Sequence, residues 1–300
     1  MIWLGKVSIL NPHSSLIPFP HNDNDSPLSY PALKSVLEYV VLEKRIHLTS
    51  RSKFLQRIDK TIPVYAKYFS LRADNLSLDC FLFTAKDKHY YLPEVEKNGK
   101  LLMSYLKGRS SINVALAVFT GVKTFQEIPV KLDFKVNKLR TYCSNLEVVL
   151  PMIDPRSLPI TELSIALEEP TNVDHEIVHS AKKVIFEVNS LRNNLIGFEK
   201  LRNKTVQFEF RFLPITDVVR IIKYWMQHGK EVGTEFSISC LANSDLDEVM
   251  ANFHEEFRKA RGYSEEINEH FCSGFSIQLS STSKLFVYGI EKYQLVLKVV

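Results

Sequence analysis

Apolar, strand-like runs return along the second half of the chain at a near-constant interval. This recurrence restricts the fold more than any other feature. LEVVL (146–150), ELSIAL (162–167), KVIFEV (183–188), VQFEF (206–210) and EFSISC (235–240) follow one another roughly every twenty residues. Segments of helical period lie between several of them. The clearest covers 215–228: Ile215, Val218, Val219, Ile222, Trp225 and Met226 share one face, and Gly229 stops the helix. A second covers about 245–261, with Ser244 as its N-cap, a stripe of Leu246, Val249, Met250, Phe253 and Phe257, and Gly262 at its end. Strand–helix alternation of this kind predicts parallel strands joined by crossovers. The interval is loosely that of a leucine-rich repeat, but no LxxLxLxxN consensus recurs, so none is assigned. FSIQLSS, KLFVYGI and YQLVLKVV then close the chain as antiparallel edge strands.

The first half reads differently. Residues 1–27 are an irregular leader: Pro12, Pro18, Pro20 and Pro27 surround a polar NDND run, with room for one short strand over 3–10. Residues 28–63 read as two short helices. Pro31 suits a first helical turn, where its missing N–H costs nothing, and Leu33, Val36, Leu37, Val40 and Val41 follow as one apolar stripe. The second helix, about 43–60, carries Ile46, Leu48, Phe54, Leu55 and Ile58 and ends before Pro63. From Val64 the period drops to two. VYAKYFSLRA and LSLDCFLFTA form a hairpin about Asp74-Asn75, with HYYL (89–92) as a third strand. A helix is expected over 97–106, containing Leu101, Leu102 and Tyr105, and strands over 111–119 and 130–136. The expected organisation is therefore a leader (1–27), a helical piece (28–63), a β-rich region (64–142) and an α/β region (143–300). The expected fold class is mixed α+β and α/β, with a largely parallel sheet and antiparallel C-terminal strands.

Composition excludes several classes. With 300 residues, 45% hydrophobic and 24% charged, the chain is globular rather than disordered or fibrous. A net charge of +4 permits an acidic partner without demanding nucleic acid. The basic residues of the second helix, Lys44, Arg45, Arg51, Lys53, Arg57 and Lys60, read as a solvated face. Cys80, Cys143, Cys240 and Cys272 are far apart and form no CxxC pair, which argues for small buried side chains in a reducing compartment. Sequons at Asn24, Asn75 and Asn203 matter only in a secreted chain. The N-terminal MIWLGKVSIL is broken by Gly5 and Lys6, and no run reaches about 18 uncharged apolar residues, so neither a signal peptide nor a membrane span is expected. We expect a soluble intracellular protein, cytoplasmic or nuclear.

One catalytic motif requires weighing. His175-Glu176-Ile177-Val178-His179 is a literal H-E-x-x-H. On a helix its two imidazoles share a face and can hold zinc, with the glutamate positioning a water. Pro170 upstream and the strand-like run from Lys183 leave room only for a short helix, however. Lys182 and Ile185 stand where a metzincin needs Gly and His. We read a short surface helix and expect no metal, with His175, Glu176 and His179 as the rival zinc-hydrolase set. No G-x-S-x-G elbow, G-x-G-x-x-G or P-loop occurs, and no cofactor is expected.

Several blocks carry a family resemblance: PLSYPALKSVLEYVVLEKRIHLTSRSKFLQRIDKTIP (27–63), YLKGRSSINV (105–114), VVLPMIDPRSLPITELSI (148–165), DHEIVHSA (174–181) and IIKYWMQHGKEVGT (221–234). In these the chain resembles a nematode-expanded family of F-box-like proteins with a domain of unknown function of the DUF3557 type. The resemblance implies a non-catalytic, substrate-recruiting subunit of a cullin–RING ubiquitin ligase that docks on a Skp-type adaptor and recruits an unidentified protein target. Carried over, Pro31, Leu33, Val36, Leu37 and Val40 stand where an F-box presents its Pro and first apolar stripe, and Leu48 and Phe54 continue it. The segment departs from a full F-box in being short and in lacking the leading Leu-Pro and the later Trp. An interaction scaffold without a ligase role is the second alternative.

Overall fold

The computed structural model describes residues 29–72, 75–79, 81–84, 105–121, 133–142, 146–166, 173–188, 197–210, 215–240, 246–260, 263–264, 274–290 and 294–300. Three short helices come first: α1 (Tyr30–Tyr39), α2 (Leu42–Ser50) and α3 (Lys53–Lys60). The strands are β1 (Val64–Arg72), β2 (Asn75–Leu78), β3 (Phe81–Thr84), β4 (Ile112–Thr120), β5 (Phe134–Tyr142), β6 (Glu162–Ala166), β7 (Lys183–Val188), β8 (Thr205–Phe210), β9 (Glu235–Cys240), β10 (Tyr263–Ser264), β11 (Gly274–Gln278), β12 (Lys284–Ile290) and β13 (Gln294–Val299). Among the described residues they form one sheet, ordered β10-β11-β12-β13-β9-β8-β7-β6-β5-β4-β1-β2-β3.

From β4 to β9 each strand pairs in parallel with the next in sequence. The chain thus advances one strand per turn, as in a solenoid, and β1 extends the series beside β4. The links differ in kind. Three 3-10 turns join β5 to β6, α4 (Glu176–Ser180) joins β6 to β7, a 3-10 turn at Phe198–Lys200 joins β7 to β8, and α5 (Ile215–His228) joins β8 to β9. The α6 helix (Leu246–Phe257) follows β9. Antiparallel pairs finish both ends: β2 and β3 beside β1, and β13, β12, β11 and β10 beyond β9.

The core lies on one face. Leu163, Val184, Val206, Phe236 and Leu297 stand side by side in register, all fully buried. Helix α5 covers them with Val218, Ile221, Ile222 and Trp225, the i, i+3, i+4, i+7 stripe of an amphipathic helix. Trp225 meets the Phe236 ring edge-on at 4.8 Å and donates its Nε1–H to the Glu199 carbonyl at 3.1 Å. Rings continue along the sheet through Phe208, Phe186 and Phe198. Gly229 ends α5 with φ 76°, where a side chain would be strained, and its N–H returns to the Trp225 carbonyl at 2.8 Å.

The recurrence of strands holds, with one substitution. The run 146–150 is not a strand; it forms 3-10 turns at Leu146–Val148 and Leu150–Met152. Leu146, Val149 and Met152 are all fully buried, a spacing of three that suits 3-10 geometry and misleads a reading by period two. The strand in that place in the series is β5, longer than the 130–136 expected. The run LSLDCFLF also divides, into β2 and β3, because Asp79 turns the chain with φ 52° and its Oδ1 accepts the Lys67 and Tyr68 N–H groups at 2.8 and 2.9 Å. The single helix expected over 43–60 is two, since Ser52 leaves the helical region and its Oγ caps α3 at the Leu55 N–H. Of the helix expected over 97–106, only Tyr105 and Leu106 are described, both helical. The leader, the strand over 3–10, HYYL, Cys80, Cys143 and Cys272 lie outside the described residues. No described helix is long and apolar enough to cross a membrane.

Candidate protein-interaction surfaces

The helical piece is attached to the sheet by a buried ion cluster. Asp59 of α3 is 1% exposed and sits between two guanidiniums. Arg45 of α2 approaches it at 2.6 Å, and Arg109, in the turn before β4, pairs with its other oxygen. Arg109 also donates to the Asp59 and Ile62 carbonyls at 2.7 and 3.2 Å, and its guanidinium carbon lies 3.7 Å from the centre of the Tyr105 ring. Burial pushes the Tyr105 phenol pKa up, against the pull of Arg109 and Arg45, so the hydroxyl stays protonated beside Asp59. Buried charges survive only when paired and hydrogen-bonded, and here three segments supply the partners at once.

The apolar stripe of the helical piece is divided by this attachment. Leu37 is buried with Ile58 and Ile62, and Leu33 packs on them, forming a small core separate from the main one. Ile46 instead joins the main core. Val40 leaves α1 in extended conformation and is half-buried. Pro31, Val36, Leu48 and Phe54 are exposed, Phe54 at 60%. The F-box-like positions therefore do not share one face. Leu33 and Leu37 serve the interior, and Val36, Leu48 and Phe54 face solvent beside exposed Tyr30 and Tyr39.

The second face of the sheet carries a polar row. Lys138, Glu162, Lys183, Thr205, Glu235 and Lys298 align across six strands in register. Lys138 pairs with Glu162 at 3.3 Å and Lys298 with Glu235 at 3.0 Å. Nearer the strand ends, Glu187 accepts from Ser164 at 2.7 Å and from Tyr142 at 3.2 Å, beside Arg140 at 3.6 Å. Burial, then the Glu187 carboxylate, raises the Tyr142 phenol pKa. Val118, Ala166, Ile185, Tyr288 and Val296, buried residues of this face, stand outside the main core.

The H-E-x-x-H string sits at the start of α4, a helix of five residues. His175 precedes the helix as its N-cap: its Nδ1 accepts the Ile177 N–H at 3.2 Å, and its Nε2 faces Glu147 at 3.1 Å. Both ring nitrogens are thus engaged away from His179, and Glu176 is exposed. Among the described residues no three His, Cys, Asp or Glu side chains are grouped so as to hold a metal. The carbonyls ending α4 go to Asn203, whose amide donates to Val178 at 2.7 Å and Ala181 at 2.8 Å. That amide is 3% exposed, so its sequon is closed in the folded chain. Periodicity gave no warning of this clamp, nor of Asp59 and Arg109, because each bonds across more than twenty residues.

Among the described residues these features describe a series of parallel α/β units with a helical piece clamped beside β1 and β4 and a row of polar side chains on the second sheet face. Residues 96–241 match the family model described as "Domain of unknown function (DUF3557)", a span that takes in β4 through β9. The comparisons with curated proteins and with solved structures give no match.

Proposed function

We propose that the chain is a non-catalytic adaptor, a substrate-recruiting subunit of F-box-like type within a cullin–RING ubiquitin ligase. In this reading α1–α3 dock on a Skp-type adaptor and the polar sheet face selects a protein target. The observation that carries it is the division of the chain into two presenting parts: exposed Val36, Leu48 and Phe54 on the clamped helices, and a polar face on the parallel strands. Apolar side chains exposed on short helices are the usual anchors of helix-mediated docking. Because Leu37 is interior, Leu37→Asp tests folding rather than docking. The informative variant is Val36→Asp with Phe54→Asp, whose side chains leave the interior untouched. Purified protein is expected to retain a Skp-type adaptor in a pull-down, and the double variant to lose it with an unchanged circular dichroism spectrum. Absence of capture by the wild type, or capture indifferent to the double variant, sinks the reading and leaves a scaffold without a ligase role.

A further inference from the structure

The outer faces of α2 and α3 carry charge of one sign. Residues 44–60 hold six Lys and Arg against a single Asp, so this stretch alone outweighs the +4 of the whole chain. Packing then sorts these groups. Arg45 and Asp59 are buried against each other and Lys60 is half-buried, while Lys44, Arg51, Lys53 and Arg57 are exposed. No acid is exposed among the described side chains of either helix. None of the four exposed cations has an ion-pair partner among the described residues. Helix α1 differs, with Glu38 exposed.

Helical spacing sets these cations beside the exposed apolar side chains. On α2, Leu48 lies four residues after Lys44 and three before Arg51, so all three share a face. On α3, Phe54 adjoins Lys53 and lies three residues before Arg57. Leu48 is 49% exposed and Phe54 60%. A helix face kept only for solvent gains where opposite charges alternate at this spacing and loses where like charges meet. Here Lys53 and Arg57 stand four residues apart with the same sign. Lys53 also occupies the first turn of α3, where no acid is present and the helix dipole disfavours a cation.

Any partner that covers Leu48 and Phe54 also faces the cations beside them. Like charge across such a contact is costly, and an apolar surface alone strips water from the cations without replacing it. We propose that the protein docking on α2 and α3 presents an apolar seat ringed by carboxylates, so that charge steers its approach and Leu48 and Phe54 then hold it. The inference rests on the adaptor reading and deepens it, naming the kind of surface the adaptor offers.

The test follows the rates at which the full chain binds and leaves an immobilised Skp-type adaptor at about 50 mM and about 500 mM salt. The association rate is expected to fall by about tenfold or more with added salt, and the dissociation rate to change much less. Arg51→Gln with Lys53→Gln and Arg57→Gln is expected to slow association at low salt and to flatten its salt dependence. Lys182→Gln with Arg258→Gln and Lys259→Gln removes equal charge outside the helical piece and is expected to leave both rates close to wild type. Leu48→Ala with Phe54→Ala is expected to speed dissociation and keep the salt dependence. All these side chains are exposed, and an unchanged melting temperature shows that each variant is folded. Association indifferent to salt, or equally slowed in the two charge-neutralised variants, overturns this proposal and leaves adaptor docking standing. Salt-indifferent association together with cosedimentation on phosphatidylserine vesicles, lost in the first variant, overturns it in favour of a lipid surface. Absence of adaptor binding at both salt concentrations overturns both readings.

Discussion

Asp59 shows how much one side chain can hold. Its carboxylate neutralises one of two buried guanidiniums and orients both, joining α2, α3 and the turn before β4. Replacing it with Asn keeps the shape but leaves Arg45 and Arg109 facing each other without an anion. Removing one partner of a buried ion pair costs about 3–5 kcal/mol, and Asp59→Asn is expected to lower the unfolding free energy by that order, read from urea denaturation. Lys230 makes the opposite point. It packs over the faces of Trp225 and Phe236 and donates to the Leu201 carbonyl. Burial nevertheless holds its pKa down to about 8, with Glu231 opposing. The unfolded chain therefore binds more protons than the folded one between about pH 8 and 10, and stability attributable to this group rises with pH across that window. Lys230→Met should flatten the rise in urea midpoint between about pH 7.5 and 9.5. An unaltered slope in the variant removes Lys230 as its source.

Among the elements, legibility follows the origin of the signal. Helix α5 is bounded by the same residues in sequence and structure, because its stripe, its length and Gly229 all agree. The strands β6 to β9 were readable for the same reason: short apolar runs of constant spacing have few alternatives. The 3-10 turns at 146–152 were not, since a buried residue at every third position within five apolar residues looks like a strand. The break between α2 and α3 rests on one serine hydroxyl, a signal lost among the other polar residues of 43–60. The stripe of α1 and α2 was visible, but its division between Leu37 inside and Val36 outside was not, because both positions fit one helical face until Ile58 and Ile62 arrive.

Across the whole molecule, the two cores have unequal weight. The main core runs continuously from β1 to β13 and includes α5 and α6, whereas Leu37, Ile58 and Ile62 form a cluster of their own. Small cores bury too little apolar surface to match the cooperativity of large ones. Native-state hydrogen exchange should therefore release the amides of α1 and α3 at lower opening free energy than those of β6, β7 and β8. Equal protection of the two regions would show that the Asp59 cluster couples them into one unit.

Taken from the chain alone, the strand interval and the amphipathic helices were determined by local pattern, which depends on neighbours a few residues apart. The Asp59 cluster, the Asn203 clamp and the choice of which apolar residues remain outside were not. Each depends on groups brought together from more than twenty residues apart, and a one-dimensional pattern carries no record of which distant partner will arrive. The proposed docking rests on that second set, because a docking surface is made of the side chains that packing leaves over.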